Sequence, residues 1–137
     1  MLSRLLDYRG SAGFHPAPIT QAEGAAMFRA VLVLFAQLEL TDDQAAILLD
    51  VPVRSFRRWK PDRPGRLSRD GCARLSNLMG IHRALRLIFT EPQCGYAWIK
   101  AAIGAFAGAS ALDVMLGGER VDIMRVRRYL DAERGVW

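Results

Sequence analysis

Metal and thiol chemistry have little to work with here, because the 137 residues include only two cysteines and two histidines. Cys72 and Cys94 form no CxxC pair and have no histidine cluster beside them. Neither a disulfide framework nor a zinc site is expected, and two buried thiols in a reducing cytosol are the simpler reading. Long apolar runs are missing as well. The longest, Ala30 to Ala36, falls far short of the ~20 residues of a membrane span, so no membrane partner is expected. The stretch Met1 to Asp7 reaches an acid before an apolar core can form, which argues against a secretory signal and for a cytoplasmic protein.

Catalytic constellations are equally scarce. Gly104 and Gly108 lack the lysine and the preceding strand of a phosphate-binding loop, so those glycines are read as places where two helices approach closely. His82 lies among Leu78, Met79 and Leu85 and reads as a satisfied or half-buried histidine, while His15 falls in a Pro/Gly-marked lead-in. Neither has a Ser, Cys or Asp partner that the sequence places nearby. No catalytic residue, no metal ligand and no cofactor is therefore expected, and an enzyme is the weakest of the functional classes.

What is present is helix. Hydrophobic residues make up 51% and charged residues 24%, an ordinary globular balance, and a chain of this size can bury roughly 68% of its unfolded surface without a staple. Strand alternation and internal repeats are absent, so the fold class is all-α. After an arm over residues 1–19, Thr20 with Glu23 forms a capping box that opens a helix to about Leu40. Thr41 with Gln44 repeats the pattern and opens a short helix that stops near Pro52. A third helix runs from Val53 to Lys60. Ser68 caps a long helix with Leu75, Leu78, Leu85 and Phe89 on one face, punctuated by Pro92 and Gly95. A short helix is expected over Tyr96–Ile103, a loop over Gly104–Ala109, a short helix from Ser110, and a last one over Glu119–Glu133 with Ile123, Val126 and Leu130 inward.

The segment Asp42 to Lys60 has the packing of a helix-turn-helix. Small Ala46 sits where two helices must cross, Val51 follows the turn, and Phe56 and Trp59 face inward. Asp50 stands where glycine is usual and tolerates the left-handed conformation. Arg54, Arg57, Arg58 and Lys60 then point outward, spaced to reach phosphates or guanine edges in a major groove. The formal net charge of +5 agrees with a nucleic-acid or acidic partner. The ending, from Met124 to Trp137, is rich in arginine and aromatic residues of the kind found at interface hot spots. Trp137 can serve there as an interface anchor or fold back as a plug of its own core.

These features resemble the Xre/MbcA/ParS antitoxin family, partners of RES-domain toxins. The likeness rests on the helix-turn-helix with Arg57-Arg58-Trp59, on Trp98 followed by Phe106-Ala107-Gly108 and Ala111 to Leu116, and above all on Val126-Arg127-Arg128-Tyr129-Leu130-Asp131-Ala132 through to Trp137. Members commonly have Pro-Asn after the tryptophan and a proline before Leu112, where this chain has Ala102-Ile103 and Ala111. The resemblance implies a helix-turn-helix region over residues 20–66 that dimerises or holds operator DNA, followed by a toxin-binding lobe over residues 67–137. It implies a toxin that consumes NAD or transfers ADP-ribose from it. It also implies that the toxin contact lies around Arg125, Arg128, Tyr129, Arg134 and Trp137, which cover the toxin active site, while the homodimer autoregulates its promoter. The alternative is a stand-alone dimeric helix-turn-helix regulator without a toxin partner.

Overall fold

A computed structural model describes residues 20–135. The expected arm over residues 1–19, with His15, and the terminal Trp137 lie outside the described residues. The described residues form seven α-helices and one 3-10 turn: α1 (Gln21–Gln37), α2 (Asp42–Leu49), α3 (Val53–Trp59), α4 (Arg69–Ile88), α5 (Pro92–Lys100), the 3-10 turn Gly104–Phe106, α6 (Ala111–Met115) and α7 (Arg120–Gly135). No strand occurs among them, and the one β-bridge joins Ala102 to Ser110.

Local chemistry sets most of the helix boundaries. Thr20, Thr41 and Ser110 each accept from the backbone N–H three residues on, and Glu23, Gln44 and Asp113 reach back to the cap backbone. Ser68 accepts from the Gly71 N–H at 2.9 Å and starts α4. The first helix ends three residues before Leu40 because Glu39 turns left-handed at φ 57 and Leu40 N–H closes onto the Phe35 carbonyl. Asp50 does the same for α2, at φ 55 and ψ 51, with Val51 N–H on the Ala46 carbonyl.

Three expectations need correction. The fifth helix begins at Pro92 rather than Tyr96 and ends at Lys100 rather than Ile103. Pro92 opens it because a proline at the first helical position loses no intrahelical bond, and Gly95 stays inside it because a Cβ there would press on Phe89 and Leu85 at 3.2 and 3.3 Å. Gly104 and Gly108 are not a close helix crossing, since a Cβ at either would meet nothing within 4 Å. Gly108 is instead a turn residue with φ 89, following left-handed Ala107. Nor are both thiols buried, because Cys94 is exposed on α5 and Cys72 is half-buried.

The core runs through the whole described chain. Helix α4 lies at its centre, packed against α7 on one side and α1 on the other, and Leu75, Leu78, Ile81, Ala84 and Leu85 are buried along it. Burying side chains of this size contributes about 1.5–3 kcal/mol each. Phe28, Val31, Leu34 and Phe35 of α1 and Ile123, Val126 and Leu130 of α7 complete the two interfaces.

Candidate functional site

The helix-turn-helix is built from inside outward. Phe56 and Trp59 are buried, and Phe28 of α1 meets both edge-on at centroid separations of 6.3 and 6.2 Å, with Phe35 at 6.4 Å from Phe56. These contacts fix the roll of α3. One cost is visible: among the described residues the buried Trp59 indole Nε1, close against Gly65, has no hydrogen-bond partner.

With the roll fixed, Arg54, Arg57, Arg58 and Lys60 are all exposed. They are not equivalent. Arg57 Nε donates to Asp42 Oδ2 at 3.2 Å and Lys60 Nζ to Asp42 Oδ1 at 3.0 Å, so the first residue of α2 clamps the last turn of α3. Hydrogen bonds from Lys60 and then Arg57 hold the Asp42 carboxyl below its ordinary 3.8. Arg54 and Arg58 have no ion-pair partner among the described residues.

The carboxy-terminal candidates separate in the same way. Arg125 and Tyr129 converge on Phe106, the guanidinium 5.5 Å and the phenol ring 5.4 Å from its ring centre. Tyr129 is half-buried and stacks on Trp98 at 5.9 Å with the planes 10° apart, so it packs within the fold. Arg128 and Arg134 are exposed further along α7. Asp131, close to this end, pairs with Arg127 at 3.5 Å.

Two arginines escaped the sequence pattern. Arg127 lies across Gly80 of α4 and donates to the Ser76 carbonyl and Asn77 Oδ1 at 3.4 and 3.3 Å; Gly80 inside a long helix was its signal. Arg74 is only 3% exposed. It donates to Asp70 Oδ2 at 2.6 Å, to the Leu48 and Ile47 carbonyls at 3.1 and 3.4 Å, and to the Gly118 carbonyl at 2.9 Å. Asp70 also pairs with Arg120 at 3.3 Å. The Asp70/Arg74 spacing in the sequence looks like an ordinary surface pair, which is why it passed unnoticed. His82 meets the expectation made for it. Its Nε2 lies 2.7 Å from the Tyr96 hydroxyl, and burial, with Arg86 adding, pushes its pKa below the ordinary 6.5.

Known proteins carry the same two-part arrangement. Residues 17–80 match the family model "Antitoxin Xre-like helix-turn-helix domain", and residues 84–135 match "Antitoxin Xre/MbcA/ParS C-terminal toxin-binding domain". The chain belongs to the Xre/MbcA/ParS antitoxin family. The two matched regions of this antitoxin meet on α4, the helix that packs against both α1 and α7. A protein of Sinorhizobium fredii (strain NBRC 101917 / NGR234) named "Uncharacterized protein y4oB" is 42% identical over 128 residues, covering 93% of this chain and 95% of its own length. The fold is also that of a chain in the crystal structure of the M. tuberculosis MbcT-MbcA toxin-antitoxin complex, with a TM-score of 0.52 and 23% identity over 79% of this chain and 94% of that one. As a member of this family the protein is the antitoxin of a toxin–antitoxin system, with a helix-turn-helix domain ahead of a toxin-binding domain. Among the described residues no helix is long and apolar enough to cross a membrane.

Proposed function

We propose that this antitoxin neutralises a RES-domain, NAD-consuming toxin by covering its active site, and that a cytoplasmic homodimer represses its own operon through α3. The observation that carries the DNA half is the division of α3. Its inner face anchors Phe56 and Trp59 in the core, while Arg54, Arg57, Arg58 and Lys60 stand together in solvent. Such a helix presents cations to phosphates and guanine edges without disturbing its own packing.

The toxin half is supported by the toxin-binding description of residues 84–135 and by the complex in which the similar MbcA chain was solved. Arg125, Arg128, Tyr129 and Arg134 on α7, with Trp137 beyond it, are the contact residues proposed. Two recognition helices are needed to read half-sites about one helical turn apart. Val33, Met79 and Leu87 leave apolar surface uncovered on α1 and α4, at 52%, 36% and 59% exposure, in keeping with a second copy.

Co-expression with the product of a neighbouring toxin gene, followed by pull-down and an NAD-consumption assay, tests the first half. A mobility shift with the promoter fragment at graded salt tests the second, with each phosphate contact contributing about 0.9 to the log–log slope. A stand-alone regulator would shift the promoter and bind no toxin. A monomeric mass by light scattering at micromolar concentration would remove the dimer.

A further inference from the structure

The buried Arg74 guanidinium lies between the starting points of the two helices on which the proposed function rests. On one side it holds the Leu48 and Ile47 carbonyls, at the end of α2 and just ahead of the left-handed Asp50 turn that launches α3. On the other it holds the Gly118 carbonyl, in the turn that launches α7 at Arg120. The last carbonyls of a helix have no intrahelical partner and carry its negative dipole end. A single always-charged, planar fork therefore gathers the carbonyl-rich ends of α2 and of the α6–α7 turn. Beside it an open cleft lined by Asp50, Glu119, Val121 and Met124 separates the two turns. Among the described residues Arg74 is hydrogen-bonded to both sides of that gap, and a side chain added at Gly118 would come within 3.8 Å of Ile47 Cγ2.

We infer that Arg74 is a positioning residue that couples the toxin-binding lobe to the helix-turn-helix, so that occupancy of one changes the affinity of the other. The inference rests on the toxin- and operator-binding reading above. Holding α7 in a complex fixes the Gly118 turn, the fixed carbonyl holds the guanidinium, and the guanidinium holds the end of α2 from which α3 is aimed. Toxin binding therefore raises operator affinity, and by reciprocity operator binding raises toxin affinity by the same factor, about fivefold or more. The Asp70 carboxylate orients the fork from α4 and extends the network to Arg120 on α7 itself.

The test has two arms. In the first, a promoter fragment is titrated with the full-length antitoxin, alone and in complex with a catalytically inactive form of its co-purified toxin, for the wild type and for Arg74→Met. The wild type should show the affinity ratio of about fivefold or more and the variant a ratio near one, with toxin binding itself retained. A wild-type ratio of one, or the same ratio in Arg74→Met, overturns the inference. If Arg74→Met does not fold, Arg74→Lys, which keeps the cation beside Asp70 and loses the fork, carries the same comparison.

The second arm needs neither ligand and so separates failure of the inference from failure of the functional reading. Gly118→Ala strains the turn, since Gly118 sits at φ 92, and amide hydrogen exchange is read at Ile47 to Val51. Faster exchange with Arg74 present and no further change in an Arg74→Met background supports the coupling. An equal effect in both backgrounds means that the strain travels through Ile47 instead and overturns it. Absence of operator or toxin binding by the wild type would sink the functional reading while leaving this second arm to decide.

Discussion

Helix α2 is held at its two ends by networks of the same chemistry in opposite surroundings. At its first turn the part-exposed Asp42 pairs with two cations that stand in solvent, Arg57 and Lys60; at its last turn Arg74 is buried and donates to carbonyls of two turns as well as to the Asp70 carboxylate. Exposed ion pairs are screened and exchange readily with water, so the Asp42 clamp contributes little to stability and leaves its cations available to a better anion. The Arg74 guanidinium is itself buried, and the buried Leu48 carbonyl it holds would carry a desolvation cost if left unpaired. One end of α2 is therefore suited to exchange partners and the other to hold them.

The comparison breaks first at Arg74. Replacing it with alanine should cost about 3–5 kcal/mol of unfolding free energy, measured by urea denaturation. A loss below about 1 kcal/mol would put the buried network in the same class as the exposed one.

The next effect should leave both networks intact. Deleting residues 134–137 removes the proposed toxin anchor and should weaken toxin binding by roughly 30-fold to 1,000-fold, while operator binding persists. Neutralisation that survives at equal expression would move the contact to the 110–118 region. At the exposed end, Arg57→Ala with Arg58→Ala should abolish the promoter shift at physiological salt without changing helicity or toxin neutralisation, and retained affinity would mean that α3 does not read the DNA.

A smaller change sharpens the role of Asp42. Asp42→Asn releases Arg57 and Lys60 and removes a negative charge from beside the proposed DNA-contacting cations. It should alter stability by less than about 1 kcal/mol yet raise operator affinity and steepen its salt dependence. Reduced affinity would show that the clamp orients the cations rather than competes for them.

The smallest effect expected is at His82. Because the folded state depresses its pKa below the ordinary 6.5, the unfolded chain takes up the proton first. Its contribution is present above about pH 6.5 and is lost as the pH falls from there toward the folded value. His82→Gln should flatten the melting-temperature profile between pH 7.5 and 5.5; an unchanged slope would assign it to the carboxylates.

Much of this was legible because it is local. The caps at Thr20, Thr41, Ser68 and Ser110 act within three residues, and the inward spacing of Phe56 and Trp59 fixes which arginines face out. What escaped depends on distant parts of the chain. Nothing near Arg57 or Lys60 shows that Asp42, 15 and 18 residues away, will hold them. Arg74 looks like one more surface arginine until the chain brings Gly118 to it, 44 residues on. Pro92 reads equally as a stop and as a start, and the helix it opens is chosen by the packing of Gly95 on Leu85 and Phe89. For the carboxy-terminal site, placing Tyr129 between Trp98 and Phe106 took tertiary structure. Trp137 lies outside the described residues, so its role stays with the proposal.

Gly80 and Arg127 have a consequence that reaches beyond this one chain. Any side chain at position 80 would occupy the space the Arg127 guanidinium now fills. The two positions are thus complementary across the α4–α7 seam: a larger residue at position 80 would displace the guanidinium from the Ser76 and Asn77 oxygens it now holds. In relatives that keep this seam, a residue larger than glycine at the first position should arrive together with a shorter one at the second. Drift at either would then be recorded in the other as a paired substitution.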